Sequence, residues 1–576
     1  MRVITSKSKN SESFYISQGY INNKGVNTSK IIRKLGTLKE LSEKLGTDRD
    51  GVMAWAKEQA RIETEKYKSE KEAQTVLVPF HQNRMLDYGQ QKFFCGGYLF
   101  LQHIYYGLKL NNICRKIKGR HKYKYDLNAI LSDLVYTRIL NPKSKRSSYK
   151  DAVSFLEPPS YGLHDVYRAL SVLAGESGLI QSEVYKNSLL LGKRNNGILY
   201  YDCTNYYFET EQEEDDKKYG KSKEHRPNPI IQMGLFTDGG GIPLAFSTFP
   251  GNANEQTSLK PLEEKVISDF GCDKFIFCSD AGLASTANRR FNHKGKRAFI
   301  VTQSIKKLKK EYKDSALDMS GFRRITDGKL MDILHLSEED KDTLFYKEIP
   351  YESGNLDQLL IITYSPKYAA YQKQIRGQQI ERAEKMIKNG SCKQQRKNQN
   401  APARFVNKFA VTKEGDCADI HYTLDTEKIK EESRYDGLYA VCTDLLDDNV
   451  SDILKVSEGR WQIEACFRIM KTEFSARPVY VKRSDRIQAH FLICFLSLLV
   501  YRLLEKKLDS KYTCEEILSK LKEMNFADIG EQGFMPLYKR DKLTDALHET
   551  CGFRTDYQFI SKSTMKNIQK KSKGRE

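Results

Sequence analysis

The apolar runs ILYYD at residues 198–202 and FIFCSD at 275–280 each end on an aspartate. Both are nearly continuous in aliphatic and aromatic residues, as strands covered on both faces of a sheet are. A carboxylate at the end of such a strand is expensive to leave unpaired. Asp202 and Asp280 therefore each require a cap, a base or a metal, and for either alone a structural cap is the ordinary reading. Further β-rich runs surround them, IIQMGLFTD at 230–238, IPLAFSTFP at 242–250 and RAFIVTQ at 297–303, separated by Gly, Asn and Pro. Helical spacing returns between two of these strands in SLKPLEEKVISDFG at 258–271. Sheet and helix thus share one domain, and the fold class is α/β.

The rest of the chain is organised around that sheet. Residues 2–36 alternate as short strands broken by Asn-Asn-Lys-Gly, a hairpin signal, and residues 37–74 and 90–195 carry helical spacing. After RAFIVTQ come about 145 residues, with LFYKEIP, LLIITYS, FVNKFAV, DIHYTLD and GLYAVCTD around a charged helix, which read as a β-rich insertion domain. The expected segments are 1–75 (β and helical), 76–195 (helical), 196–303 (core), 304–450 (insertion), 451–505 (final core helices) and 506–576 (C-terminal region). Length alone suggests three or four packed units.

Charge narrows the partners. Lys and Arg number 95 against 75 Asp and Glu, a formal net charge of +20, which favours a polyanion, nucleic acid before an anionic membrane. FLICFLSLLV at 491–500 is about half the length of a bilayer span and reads as a buried helix, and MRVITSKSKN has no signal-peptide character. A cytoplasmic protein with no membrane partner is expected. The 12 cysteines include no C-x-x-C pair and several lie in apolar runs, so they read as reduced core thiols. The polybasic segment KNGSCKQQRKNQN at 388–400 reads as a solvated loop or a DNA contact, and the acidic run ETEQEEDD at 209–216 as a solvated loop.

A third carboxylate stands in WQIEACFRIMK at 461–471. At 100° per residue Arg460, Glu464 and Lys471 fall at about 0°, 40° and 20°, one narrow sector, while Ile463, Cys466, Ile469 and Met470 point elsewhere. Three hard carboxylate oxygens from two strand ends and a helix suit Mg²⁺ or Mn²⁺. Two such ions about 4 Å apart would serve an in-line attack on phosphorus, with Arg460 and Lys471 holding the flanking phosphates. An Arg–Glu pair at i, i+4 is also a common solvated surface feature. Trp461 is read as plugging the core, with a reach toward DNA as the alternative, and Asp436 in RYDGLY as a turn residue.

Taken together, LYYDCTNYYFE with YGKSKEHRPNPIIQMGLFTDGGGIPLAFSTFPGN, then FIFCSDAGLASTANRRF, then RYDGLYAVCTD leading into SEGRWQIEACFRIMKTEFSARPVYVKRSDRIQAHFLICFLSLLVYRLL, resemble the DDE transposases of bacterial insertion sequences. Within them the likeness is to the IS4-like superfamily and its IS1634-type group, and it spans nearly the whole chain. That superfamily's signature is Tyr, two residues, Arg, three residues, Glu, six residues, Lys; Arg460, Glu464 and Lys471 keep the spacing and Ser457 stands at the Tyr position. The resemblance implies an RNase H-like catalytic core, interrupted by an insertion between Asp280 and Glu464, with N-terminal DNA-binding regions. It implies Asp202, Asp280 and Glu464 as catalytic metal ligands for Mg²⁺ or Mn²⁺, and Arg460 and Lys471 as phosphate contacts. Arg468, on the same helix, and His225 and Arg226 are further candidates for DNA contact, the last two having a loop salt bridge as the alternative. The expected activity is cutting at terminal inverted repeats and joining of 3′ ends to target DNA, by a homodimer on double-stranded DNA in a bacterial cytoplasm. A nuclease without strand transfer and a catalytically silent DNA-binding repressor are the alternatives.

Overall fold

The computed structural model describes residues 1–9, 11–21, 27–72, 76–78, 82–83, 85–391, 400–411 and 419–574. These form two compact units, Met1–Tyr88 and Gly89–Glu576. The Asn-Asn-Lys-Gly signal at 22–25 lies outside the described residues, as does most of the polybasic segment, 392–399.

In the first unit β1 (Arg2–Ser8), β2 (Ser11–Ile21) and β3 (Asn27–Thr37) form an antiparallel meander. Thr37 closes a capping box with Glu40 and so starts the helix Leu38–Leu45 where the strand stops. That helix and the following one, Arg49–Glu72, bury Leu41, Val52 and Ala56 against Phe14. Arg49 donates two 2.9 Å hydrogen bonds to Glu12, tying helix to sheet.

The second unit opens with β4 (Phe93–Cys95) and six helices between Tyr98 and Ser188, as the helical spacing of 90–195 anticipates. Its main sheet then runs through β5 (Ile198–Tyr207), β6 (Ile230–Asp238), β7 (Pro243–Pro250), β8 (Ile276–Ser279), β9 (Ala298–Thr302), β10 (Arg323–Arg324), β11 (Phe345–Glu352) and β12 (Asp357–Tyr364). A hairpin, β13 (Val406–Val411) and β14 (Asp419–Leu424), precedes the last strand of this sheet, β15 (Leu438–Thr443). The order is β10-β11-β12-β15-β9-β8-β5-β6-β7. β5 pairs antiparallel with β6 and β6 with β7, whereas β8 joins β5, and β9 joins β8, in parallel.

This order corrects the expected insertion at 304–450. β10, β11, β12 and β15 complete the same sheet, with β15 paired directly to β9, so much of that segment is core. Only the stretch between β12 and β15 carries a small core of its own, Ala383, Phe405 and Val406, under the helix Pro366–Lys388 and the β13–β14 hairpin. The C-terminal region is likewise tied back: β16 (Asn525–Asp528) pairs with β4, and β17 (Gly533–Pro536) and β18 (Ile560–Ser561) complete that sheet. Two units form where length suggested three or four, because late strands return to early ones.

Both faces of the main sheet are covered. Tyr200, Tyr206, Met233 and Phe246 of one face pack into a core with the helix Ser484–Lys507; Leu199, Tyr201 and Phe236 of the other pack with the helix Glu255–Phe270. The ring centroids of Tyr206 and Phe491 are 4.9 Å apart, and those of Phe246 and Phe495 5.1 Å. Ser484–Lys507 is the one helix among the described residues long and apolar enough to cross a membrane, and 94% of its apolar window is buried inside the fold. It is a core helix, as read from FLICFLSLLV. The ten described cysteines are free thiols, eight of them buried.

One buried acid gives the fold a pH signature. Asp133 accepts a 2.7 Å hydrogen bond from the Tyr161 hydroxyl, and burial pushes its carboxyl up to about 7. Between the unfolded carboxyl range and pH 7 the native state then binds the extra proton, so stability falls as pH rises across that window. Asp133→Asn is expected to stabilise the protein by on the order of 1–2 kcal/mol at pH 8 and hardly at all at pH 4. Urea unfolding at the two pH values checks this.

Candidate active site

β5 and β8 pair in parallel through Ile198–Ile276, Leu199–Phe277 and Tyr200–Cys278. Two residues further on, in the same register, stand Asp202 and Asp280. Since strands alternate faces with period two, both project on the face of Tyr200 and Cys278. β9 continues the row: Ile300 pairs with Cys278, so Thr302 lies beside Asp280 on that face. Asp202 thus sits in mid-strand with respect to β6 but at the end of the parallel pairing, where β8 stops at Ser279. Asp202 accepts from the Cys203 amide at 2.7 Å, and Asp280 caps the turn after β8 by accepting from the Leu283 amide at 3.1 Å.

The two helices after β15 cross this face. Val450–Glu458 presents the Val456 carbonyl to the Tyr200 hydroxyl at 2.9 Å. The chain then turns at Gly459, where an added Cβ would lie 2.0 Å from that hydroxyl, so no larger residue fits. Trp461–Lys471 follows, burying Ile463, Cys466, Ile469 and Met470 as the helical sector required. Arg460, at its start, donates to the Thr302 hydroxyl and its charge acts on Asp202. One turn on, Glu464 lies 3.8 Å from Arg460 with its side chain 64% exposed, a pair that contributes about 0.5 kcal/mol or less. Glu464 is thus tethered only lightly.

Electrostatics at Asp202 are set by burial, which pushes its carboxyl up to about 6; Lys223 and Arg460 oppose the shift and Asp280 adds to it. Lys223, from the 208–229 segment, donates to the Cys203 carbonyl and pairs with Glu255 at 3.4 Å. Lys471 lies 3.6 Å from Glu224, which Arg477 also engages. Burial and the neighbouring Lys223 push the Lys471 ammonium down to about 8, while Asp202 favours its charge. An anion beside Lys471 would favour its charged form.

The other sequence candidates are scattered more widely. Arg468 is exposed on the helix Trp461–Lys471, one turn from Glu464. His225 and Arg226 are exposed, and in place of the loop salt bridges expected of them, Arg226 lies 4.6 Å over the Tyr207 ring. Asp436 is a turn residue, held by both guanidinium nitrogens of Arg376. Trp461, assigned to the core, is instead 58% exposed, because the first residue of the helix faces outward beside Arg460 and Glu464. These three line a cavity of about 410 Å³ with Ser457, Tyr368 and Tyr439. Trp461→Ala should therefore change stability by no more than about 0.5 kcal/mol in thermal unfolding. Sequence reading missed Lys223, Glu224 and Arg477, although Lys223 and Glu224 stand in the same KSKEHR segment as His225 and Arg226.

The donors at Asp202, Asp280 and Glu464 are hard carboxylate oxygens, and the repulsion between the first two is what a divalent cation would relieve; by donor chemistry the residues suit such an ion. The group of three metal-type ligands that converges among the described residues is elsewhere, at Asp545, His548 and Asp556. There Arg540 and Arg554 already pair with the carboxylates and His548 Nε2 accepts from the Thr555 amide, so that cluster is an ion-pair network.

Residues 202–500, 299 of 576, match the model of the family described as Transposase DDE domain, and the match begins at Asp202 and contains Asp280 and Glu464. The chain belongs to that family. It is a DDE transposase by domain. No curated protein matches the sequence. Among solved structures, the cryo-EM structure of a piggyBac transposase synaptic complex with hairpin DNA aligns at 9% identity over 81% of this chain and 86% of that one, with a TM-score of 0.35, a likeness too loose to carry a fold assignment.

Proposed function

We propose that this transposase is the enzyme of a bacterial insertion sequence of the IS4-like, IS1634-type group, which cuts at terminal inverted repeats and joins the freed 3′ ends to target DNA. The observation that carries this reading is the in-register placement of Asp202 and Asp280 on neighbouring parallel strands, crossed by the helix that bears Arg460 and Glu464. The strand order β7-β6-β5-β8-β9, three antiparallel and then two parallel, supports an RNase H-like core.

In this reading Asp202, Asp280 and Glu464 hold Mg²⁺ or Mn²⁺, which supplies activation of a water or 3′-hydroxyl and neutralises charge at the phosphorus. The chain's own cations do the rest. Lys223 and Lys471 flank Asp202 and bind the phosphates on either side of the scissile bond. Arg460, anchored on Thr302, keeps a fixed positive charge over the strand ends. Glu464, exposed and paired only with Arg460, would supply the third carboxylate. Arg468, His225 and Arg226 contact DNA further out, and a homodimer brings two ends together.

The test is a joining assay. Pre-cut duplex ends carrying the element's own repeat are incubated with supercoiled plasmid and Mg²⁺. Covalent end–plasmid products support the reading; nicking without joined products leaves a nuclease, and binding without either leaves a repressor.

A further inference from the structure

Behind the loop that links the catalytic helix to Ser484–Lys507 lies a second cavity, of about 450 Å³, whose lining includes Arg138, Lys143, Lys145, Lys482, Arg483 and Arg486, and no carboxylate. Two of these cations are in its floor. Lys145 is 4% exposed and Arg138 3%, and neither the Lys145 ammonium nor Arg138 Nε has a hydrogen-bond partner. Arg138 spends its other nitrogens on the carbonyls of Phe474, Ser475 and Lys143, which fixes the loop over the cavity. Arg486 lies 5.0 Å over the Tyr167 ring, and its Nε is also buried and unpartnered.

Nearby acids do not neutralise this set. Asp485 takes Arg483 at 2.8 Å and Asp151 takes Lys143 at 3.3 Å, which leaves Arg138, Lys145, Lys482 and Arg486 unmatched. His490, also in the lining, faces the Ala476 carbonyl at 3.0 Å, and burial with Lys145 and Arg138 beside it keeps the imidazole neutral. Burial and Arg138 push the Lys145 ammonium down to about 7. A buried amine among unmatched guanidinium groups is unfavourable until an anion joins it.

The loop over the cavity contacts the far end of the strand that carries Asp202. The Val479 amide donates to the Tyr207 carbonyl at 3.1 Å, so the loop extends the strand that carries Asp202. Tyr207 is roughly 17 Å along that strand from Asp202, about five nucleotides of duplex at ~3.4 Å each. Resting on the transposase reading above, we propose that this cavity is a phosphate-binding pocket that seats a backbone phosphate of the DNA strand leaving the candidate active site, with Lys145 and Arg138 as its floor and Arg486 and Lys482 as its rim.

The test compares wild type with Lys145→Met and Arg486→Gln by fluorescence anisotropy of a labelled repeat-end duplex across a KCl series without divalent metal. Each variant is expected to bind about tenfold more weakly, with the slope of log K against log salt smaller by about one, the loss of one phosphate contact. Wild-type affinity and slope in both variants would overturn the proposal, and if Lys145→Met does not fold, Arg486→Gln decides alone. Inorganic phosphate is titrated in parallel by thermal melting. A phosphate-dependent rise in the wild type that Lys145→Met loses, with DNA binding unchanged, would assign the pocket to a free phosphate and overturn the DNA part. Loss of joining activity in wild type with the variant effects intact would remove the transposase reading and leave the pocket standing.

Discussion

Asp202→Asn and Asp280→Asn are each expected to slow metal-dependent DNA cleavage by about 10³-fold or more while leaving the protein as stable as wild type or more so. The rate loss follows from removing one hard oxygen and one negative charge from the site proposed to bind a divalent ion. Loss of roughly 4 kcal/mol of charge stabilisation is three factors of ten. The stability expectation has the opposite sign, because the Asp202 carboxyl is held up at about 6 by burial and by Asp280. Neutralising Asp202 relieves its desolvation, and neutralising Asp280 removes its repulsion of Asp202. Single-turnover cleavage and thermal unfolding on the same preparations check both. Parallel loss of activity and stability would mean that the aspartates are structural caps, the reading each has when considered alone.

Arg194→Met is expected to cost about 3–5 kcal/mol of folding stability, the range for a buried pair broken on one side. Arg194 and Asp238 are 1% and 0% exposed, with Nε to Oδ2 at 2.7 Å. Asp238 also accepts from the Gly240 and Ile242 amides at 2.9 Å each, and Arg194 donates to the Ser188 hydroxyl and to the Ile242 and Pro243 carbonyls. One pair therefore closes the β6–β7 turn onto the segment that enters β5. Removing the guanidinium leaves a carboxylate with no access to water. Urea denaturation measures the loss, and Arg194→Met combined with Asp238→Asn should lose less than Arg194→Met alone. A loss below about 1 kcal/mol would show that water reaches this turn.

The placement of Asp202 and Asp280 was legible because a carboxylate ending an apolar strand is costly to leave unpaired, and the structure puts both at the end of one parallel pairing. The helix of Glu464 was legible from its 3.6-residue period, which separates the buried Ile463, Cys466, Ile469 and Met470 from the polar sector. Trp461 was not: periodicity gives a direction around a helix and does not reveal that the first turn overhangs a cavity. The strands at 345–364 and 438–443 were read as β but assigned to a separate body, since a strand's own pattern does not say which sheet it pairs with. Lys223 acts on Asp202 through a loop, and Arg138 meets the Phe474 carbonyl across 336 residues of sequence. Contacts of that kind exist only once the chain has folded.

Glu464 is proposed to complete a catalytic carboxylate set with Asp202 and Asp280. Mg²⁺- and Mn²⁺-dependent cleavage of a labelled duplex carrying the ends of the element's own repeat, wild type against Glu464→Gln, tests it most directly. The account predicts cleavage at the repeat boundary that disappears in Glu464→Gln while duplex binding survives. Cleavage that persists in Glu464→Gln would contradict it and show that another residue is the third ligand.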